Sequence, residues 1–215
     1  MMDQATANPP EVSDERLRPI PGAGRLGMWV LLASLTMLFG ASIIGYLVVR
    51  MRSPEWPPPG TSLTSTGLWI STLVIAFSSL TQQLAYDGIK RGDTAALKRY
   101  LSITYVCGLV FLGFQTFNWF DMVGYQAADA HNLFAFTFYM LTGLHALHVF
   151  GGVLPMTVVL VKAFKGRYGA DYYPGPLYST MYWHFLTVMW FVIFAILFIG
   201  SVGSGAPLPP PEGAV

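Results

Sequence analysis

Three of the four histidines, His145, His148 and His184, stand inside long apolar runs. A neutral imidazole is a good ligand for haem iron or copper. His145 or His148 placed opposite His184 could therefore clamp a haem between two helices. The competing reading is a hydrogen-bonded histidine that fixes helix packing, and spacing alone does not set two imidazoles face to face. The single cysteine, Cys107, allows neither an internal disulfide nor a thiolate metal site built by this chain alone.

Other neutral polar residues recur at helical spacing. Thr142, His145, His148 and Gly152 lie three or four apart, so on a helix they share one stripe. His184 and Thr187 do the same between Trp183 and Trp190. Gln115 and Asn118 form a third stripe, and Ser78, Gln82 and Tyr86 a fourth. Each such helix would turn its polar stripe toward the others, where hydrogen bonds across membrane helices contribute roughly 0.6–2 kcal/mol apiece.

The elements that must carry these stripes are long and apolar. Five segments, 26–49, 68–89, 101–120, 134–164 and 181–200, each reach the length of about 20 residues that a spanning helix needs. No Asp, Glu, Lys or Arg falls in the middle of any of them. That weighs against a proton relay or a secondary transporter, since mid-membrane ionisable groups mark such pathways. Pro155, beside Gly151 and Gly152, removes one backbone donor and predicts a kink in the fourth helix.

Composition agrees. Of 215 residues, 53% are hydrophobic and only 11% are charged, with a net charge of +1. Soluble domains carry about a quarter charged residues. The balance excludes an ordinary soluble enzyme, a nucleic-acid binder and a disordered chain. It predicts an all-α integral membrane bundle of five helices over 25–200, a polar tail at 1–24 and a flexible Gly/Pro-rich tail at 201–215. The first tail has neither the basic start nor the apolar stretch of a secretory leader.

Charge sets the expected orientation. Of the twelve lysines and arginines, all but Arg50 and Arg52 fall in the first tail and in the second and fourth connections. Basic loops stay inside, so the N-terminus is expected in the cytoplasm and the C-terminus outside. Trp29, Trp56 and Trp69 near helix ends, with Arg50 and Arg52, are candidates for contact with phospholipid against helices one to three.

The run Phe138-Tyr139-Met140-Leu141-Thr142-Gly143-Leu144-His145-Ala146-Leu147-His148-Val149 resembles a stretch of subunit III of the haem-copper oxidases. So does Tyr182-Trp183-His184-Phe185 followed by Trp190. Both stand in the family's order. Phe111-Leu112-Gly113-Phe114-Gln115 and Gly27-Met28-Trp29 add to the resemblance, which covers about residues 25–200 and is to the five-helix form. Three acidic positions of the family pattern are neutral here, at Leu35, Asn118 and Thr187. No role that needs a carboxylate at those positions carries over.

The resemblance implies a non-catalytic subunit of a terminal respiratory oxidase in a bacterial inner membrane. Haem and copper would lie in subunits I and II, and this chain would stabilise subunit I, bind phospholipid and support oxygen access and proton uptake. Thr142, Gly143, His145, His148, Trp183, His184, Trp190 and Gln115 would be its structural motif residues. Cytochrome c is the expected donor. The alternatives are an accessory protein of a quinol oxidase or nitric oxide reductase and, from another class, a haem-bearing electron carrier using the three histidines.

Overall fold

The computed structural model describes residues 22–53, 56, 66–126 and 133–202. Most of the first tail and all of the second beyond Val202 lie outside these residues. Five helices run α1 Ala23–Arg52, α2 Thr66–Lys90, α3 Thr94–Gln126, α4 Leu133–Phe164 and α5 Pro174–Val202, and all are long and apolar enough to cross a membrane. The chain is a multi-pass membrane protein with no named strand among the described residues.

The helix ends are set by local chemistry that an apolar-run criterion does not read. At the end of α2, Gly92 adopts φ +79, where L side chains are strained. Its N–H bonds the Ile89 carbonyl at 2.9 Å, and the Asp93 N–H bonds that of Gly88 at 3.0 Å. That pair of bonds is the Schellman closure. Asp93 then caps α3 through its carboxylate, which accepts from the Ala96 N–H at 2.9 Å. The α4 terminus repeats the device at Gly166, φ +67. Its N–H reaches the Ala163 carbonyl and the Arg167 N–H reaches that of Lys162, both at 3.0 Å. Pro174 opens α5 at the position where its missing N–H costs nothing.

These caps lengthen two helices relative to the sequence expectation. α3 begins seven residues before Leu101 and α5 seven before Met181. Pro155 sits inside an unbroken α4.

Helices α2, α3, α4 and α5 close a ring in which each packs on the next and α5 returns to α2. α1 lies outside this ring, against α4 and α5, and among the described residues it meets neither α2 nor α3. The ring is filled by Phe111, Phe138, Leu141, Trp183 and Trp190, all essentially fully buried. Close backbone approach makes the packing possible. A Cβ on Gly108 would stand 2.7 Å from Trp183, and one on Gly152 would stand 2.7 Å from Tyr182.

The helices alternate in direction, and this gathers charge at one end. Gly24 faces Tyr178, and Gly92 faces Ala170. Arg25, the α2–α3 turn and the α4–α5 connection thus share a basic end. Arg50 approaches Gly200 at the opposite end.

Candidate functional site

The polar stripes do converge, but on α2 more than on one another. α2 buries Ser71, Thr72, Ser78, Thr81 and Gln82 in the ring. The serine and threonine hydroxyls back-bond to carbonyls of their own helix, as Ser78 does to Ile75 at 2.7 Å. Their remaining lone pairs accept from elsewhere. Trp183 donates its indole N–H to Ser78 at 2.9 Å, and Trp190 donates to Thr72 at 3.0 Å. Gln115 donates to Ser71 at 3.3 Å, and Gln82 donates to Thr180 at 2.9 Å. Thr142 bonds the Phe138 carbonyl at 2.7 Å and accepts from the Trp119 indole at 3.1 Å. Gly143 lies beside the same indole, and a Cβ there would make an ordinary contact with it at 3.8 Å.

The histidines separate into three environments. His145 is fully buried, and neither ring nitrogen has a hydrogen-bond partner. Its ring packs with Trp190, Phe111 and Phe39 at centroid distances of 5.1, 5.8 and 6.2 Å. The expectation of a hydrogen-bonded His145 is therefore corrected. Aromatic rings fill its surroundings. Asn118 is likewise buried without a partner, although its stripe-mate Gln115 has one.

His148 is half-buried, with Nδ1–H donated to its own Leu144 carbonyl at 2.7 Å, so Nε2 is left as an acceptor. His184 faces α2, where Nδ1 meets Ser79 at 2.7 Å and Nε2 meets Gln83 at 2.9 Å. Both of its nitrogens are thus engaged away from α4, so it makes no haem clamp with His145 or His148. Among the described residues no group of three or more His, Cys, Asp and Glu could hold a metal ion.

A half-open cleft of about 830 Å³ lies between α1, α4 and α5 at the basic end. Met28, Leu31 and Leu35 line it from α1, and His148, Pro155 and Val159 from α4. Lys162 and Arg167 stand at it with Tyr168, Tyr172 and Tyr178. Burial pushes the Tyr168 phenol above its ordinary value, and the neighbouring Tyr172 adds to this. The phenol is therefore a neutral hydrogen-bonding group at neutral pH. Sequence reasoning missed this cleft because it needs α1 to pack on α4 and α5 and not on α2. Clustering of Lys162, Arg167 and four tyrosines over 162–178 was the available signal.

The tryptophans proposed for a lipid belt also divide. Trp29 is 63% exposed and Trp69 is 45% exposed. Trp56 is buried, edge-on to Tyr46 and Phe134 at 5.7 and 5.0 Å, which leaves its ring little face for lipid. Arg50 is half-buried and Arg52 exposed.

Comparison with known proteins gives the same pattern over most of the chain. The cytochrome c oxidase subunit III family matches residues 20–202. A cytochrome c oxidase subunit 3 of Thermostichus vulcanus is 35% identical over 81% of this chain and 86% of its own length. Proteins of the same name from Alkalihalophilus pseudofirmus and a Synechocystis strain are 32% and 30% identical, each over 83% of this chain and over 87% and 76% of their own lengths. The two motif runs read in the sequence are the segments that wall the ring interior and the cleft, and with five spans in place the chain belongs to the cytochrome c oxidase subunit III family.

Proposed function

We propose that this chain is the non-catalytic subunit III of a haem-copper oxidase that passes electrons from cytochrome c to oxygen in a bacterial inner membrane. The observation that carries the reading is the family match across residues 20–202. The relatives' printed name supports cytochrome c as donor. Haem and copper then belong to subunits I and II, and this chain's part is to brace subunit I and hold lipid beside it. Its support for oxygen access and proton uptake acts through that bracing.

The cleft is the part of this chain suited to lipid. Its wall of Met28, Leu31, Leu35 and Pro155 fits acyl chains, and Lys162 and Arg167 fit a phosphate at the membrane boundary. Trp29 and Trp69 sit at exposed helix ends, where amphipathic rings favour the interface. On this reading the bound lipid lies against α1, α4 and α5, whereas the sequence pattern points to helices one to three.

Purification in mild detergent tests both statements. The chain is expected to co-purify with haem-bearing subunits while showing no Soret band when isolated. A Soret band from the isolated chain would support the electron carrier instead. Native mass spectrometry of a Lys162→Gln, Arg167→Gln variant should show fewer retained phospholipids than the parent complex. An unchanged lipid complement would remove the cleft from the proposal.

A further inference from the structure

The α2–α5 seam carries a run of half-buried polar side chains. Ser79, Gln83 and Asp87 stand one turn apart along α2 and are all half-buried, and His184 of α5 is half-buried against them. They form a continuous hydrogen-bonded line. Asp87 is acceptor-only when ionised, so Gln83 turns its amide N–H₂ to it, at 3.1 Å to each oxygen. The Gln83 carbonyl is then left for His184 Nε2–H at 2.9 Å, and His184 Nδ1 accepts from the Ser79 hydroxyl at 2.7 Å.

Every donor in that line is used, and what remains is acceptor capacity and negative charge. Asp87 has no lysine or arginine paired with it among the described residues. Lys90, the nearest cation in sequence, lies over the Tyr86 ring instead, 5.3 Å from its centroid. Around the line, Leu80 is 65% and Val188 58% exposed. On other faces the exposed hydroxyls of Ser34 and Thr116 are returned to carbonyls of their own helices. Ser79, Gln83 and His184 lie deeper than Asp87, which is three residues from the end of α2, and polar groups turned toward acyl chains are costly unless something polar covers them.

We infer that the α2–α5 seam is a docking face for a transmembrane helix of a partner chain, one that brings a lysine or arginine to Asp87 at the basic end and a hydrogen-bond donor to Ser79 about 12 Å deeper, eight residues along the helix. The charge of the line selects a cationic partner, and its used-up donors select a donating one. The docking face requires only that a membrane partner exists; that the partner bears haem rests on the proposed function.

Photo-crosslinking in native membranes tests it. A benzophenone amino acid is placed at Leu80, at Val188 and, as a control on α4, at Val158, which is 53% exposed. The adducts are then identified by mass spectrometry. Positions 80 and 188 are expected to label one haem-bearing partner chain near a basic residue, and position 158 is not. With Asp87→Asn the yield at both positions should fall about tenfold or more, as for loss of one member of a covered charge pair. Thermal unfolding of the variant chain shows whether that loss is merely structural. Adducts only to lipid or to a second copy of this chain, or equal partner labelling from position 158, would overturn the inference. If no haem-bearing chain co-purifies yet 80 and 188 label another membrane chain, the docking face stands and the functional reading falls. If the haem-bearing chain co-purifies but is labelled from elsewhere, only the docking face falls.

Discussion

Trp183 and Trp190 each reach across the ring to a hydroxyl of α2, whereas His145, in the same interior, bonds to nothing. These opposite situations make opposite predictions. Ser78→Ala would leave the Trp183 indole N–H buried and unpaired, a loss of about 1–3 kcal/mol. His145→Leu removes two unpaired polar atoms from an aromatic cage at similar volume, so the melting temperature is expected to hold or rise. Thermal unfolding of both variants in one detergent checks the pair, and a large drop for His145→Leu would show that the imidazole has a partner. The contrast also marks the limit of the sequence. Spacing put Thr142, His145 and His148 on one stripe, but which of them finds a partner depends on how each helix is rotated about its axis. α4 turns Thr142 toward Trp119, His145 into Phe111 and Trp190, and His148 toward Phe39 and the cleft.

The helices themselves were legible because hydrocarbon thickness and backbone satisfaction leave few choices for a long apolar run. Their ends were less so. The apolar run stops at the edge of the hydrocarbon, but the helix continues until a cap stops it. Asp93 and Pro174 carry α3 and α5 beyond the runs. Helix pairing was less legible still, because it depends on where small residues let backbones meet. Gly152 is such a place on α4, and Gly151 beside it has nothing within 4 Å of a built Cβ. Gly152→Ala is therefore expected to push Tyr182 aside and weaken its 3.1 Å bond to the His148 carbonyl. The cost is about 1–3 kcal/mol, as for other overpacked contacts. Gly151→Ala should be close to neutral. Equal melting temperatures for the two variants would mean that α4 and α5 are not closely packed at this point.

At the scale of the whole molecule, the fold turns a scattered charge pattern into a polarity. The described basic residues Arg25, Lys90, Arg91, Lys98, Arg99, Lys162, Lys165 and Arg167 belong to one end of the bundle, and Arg50 and Arg52 to the other. Short basic connections resist translocation. With an odd number of spans, the N-terminus and the α2–α3 turn should lie in the cytoplasm and the end of α5 outside. Alkaline phosphatase, active only after export, provides the measurement. Fused after Val202 it should be active, and fused after Gly92 it should be silent. A fluorescent protein that matures only in the cytoplasm should light up on the N-terminus. The reverse pattern would place Lys162, Arg167 and the cleft on the outer leaflet, and any lipid phosphate held there would then come from that side. With the phosphatase inserted after Gly92 in the otherwise full chain, replacing Lys90, Arg91, Lys98 and Arg99 with glutamine should raise its activity, because these charges hold the turn inside. No rise would mean that the packed α2–α3 hairpin, and not its charge, fixes the orientation.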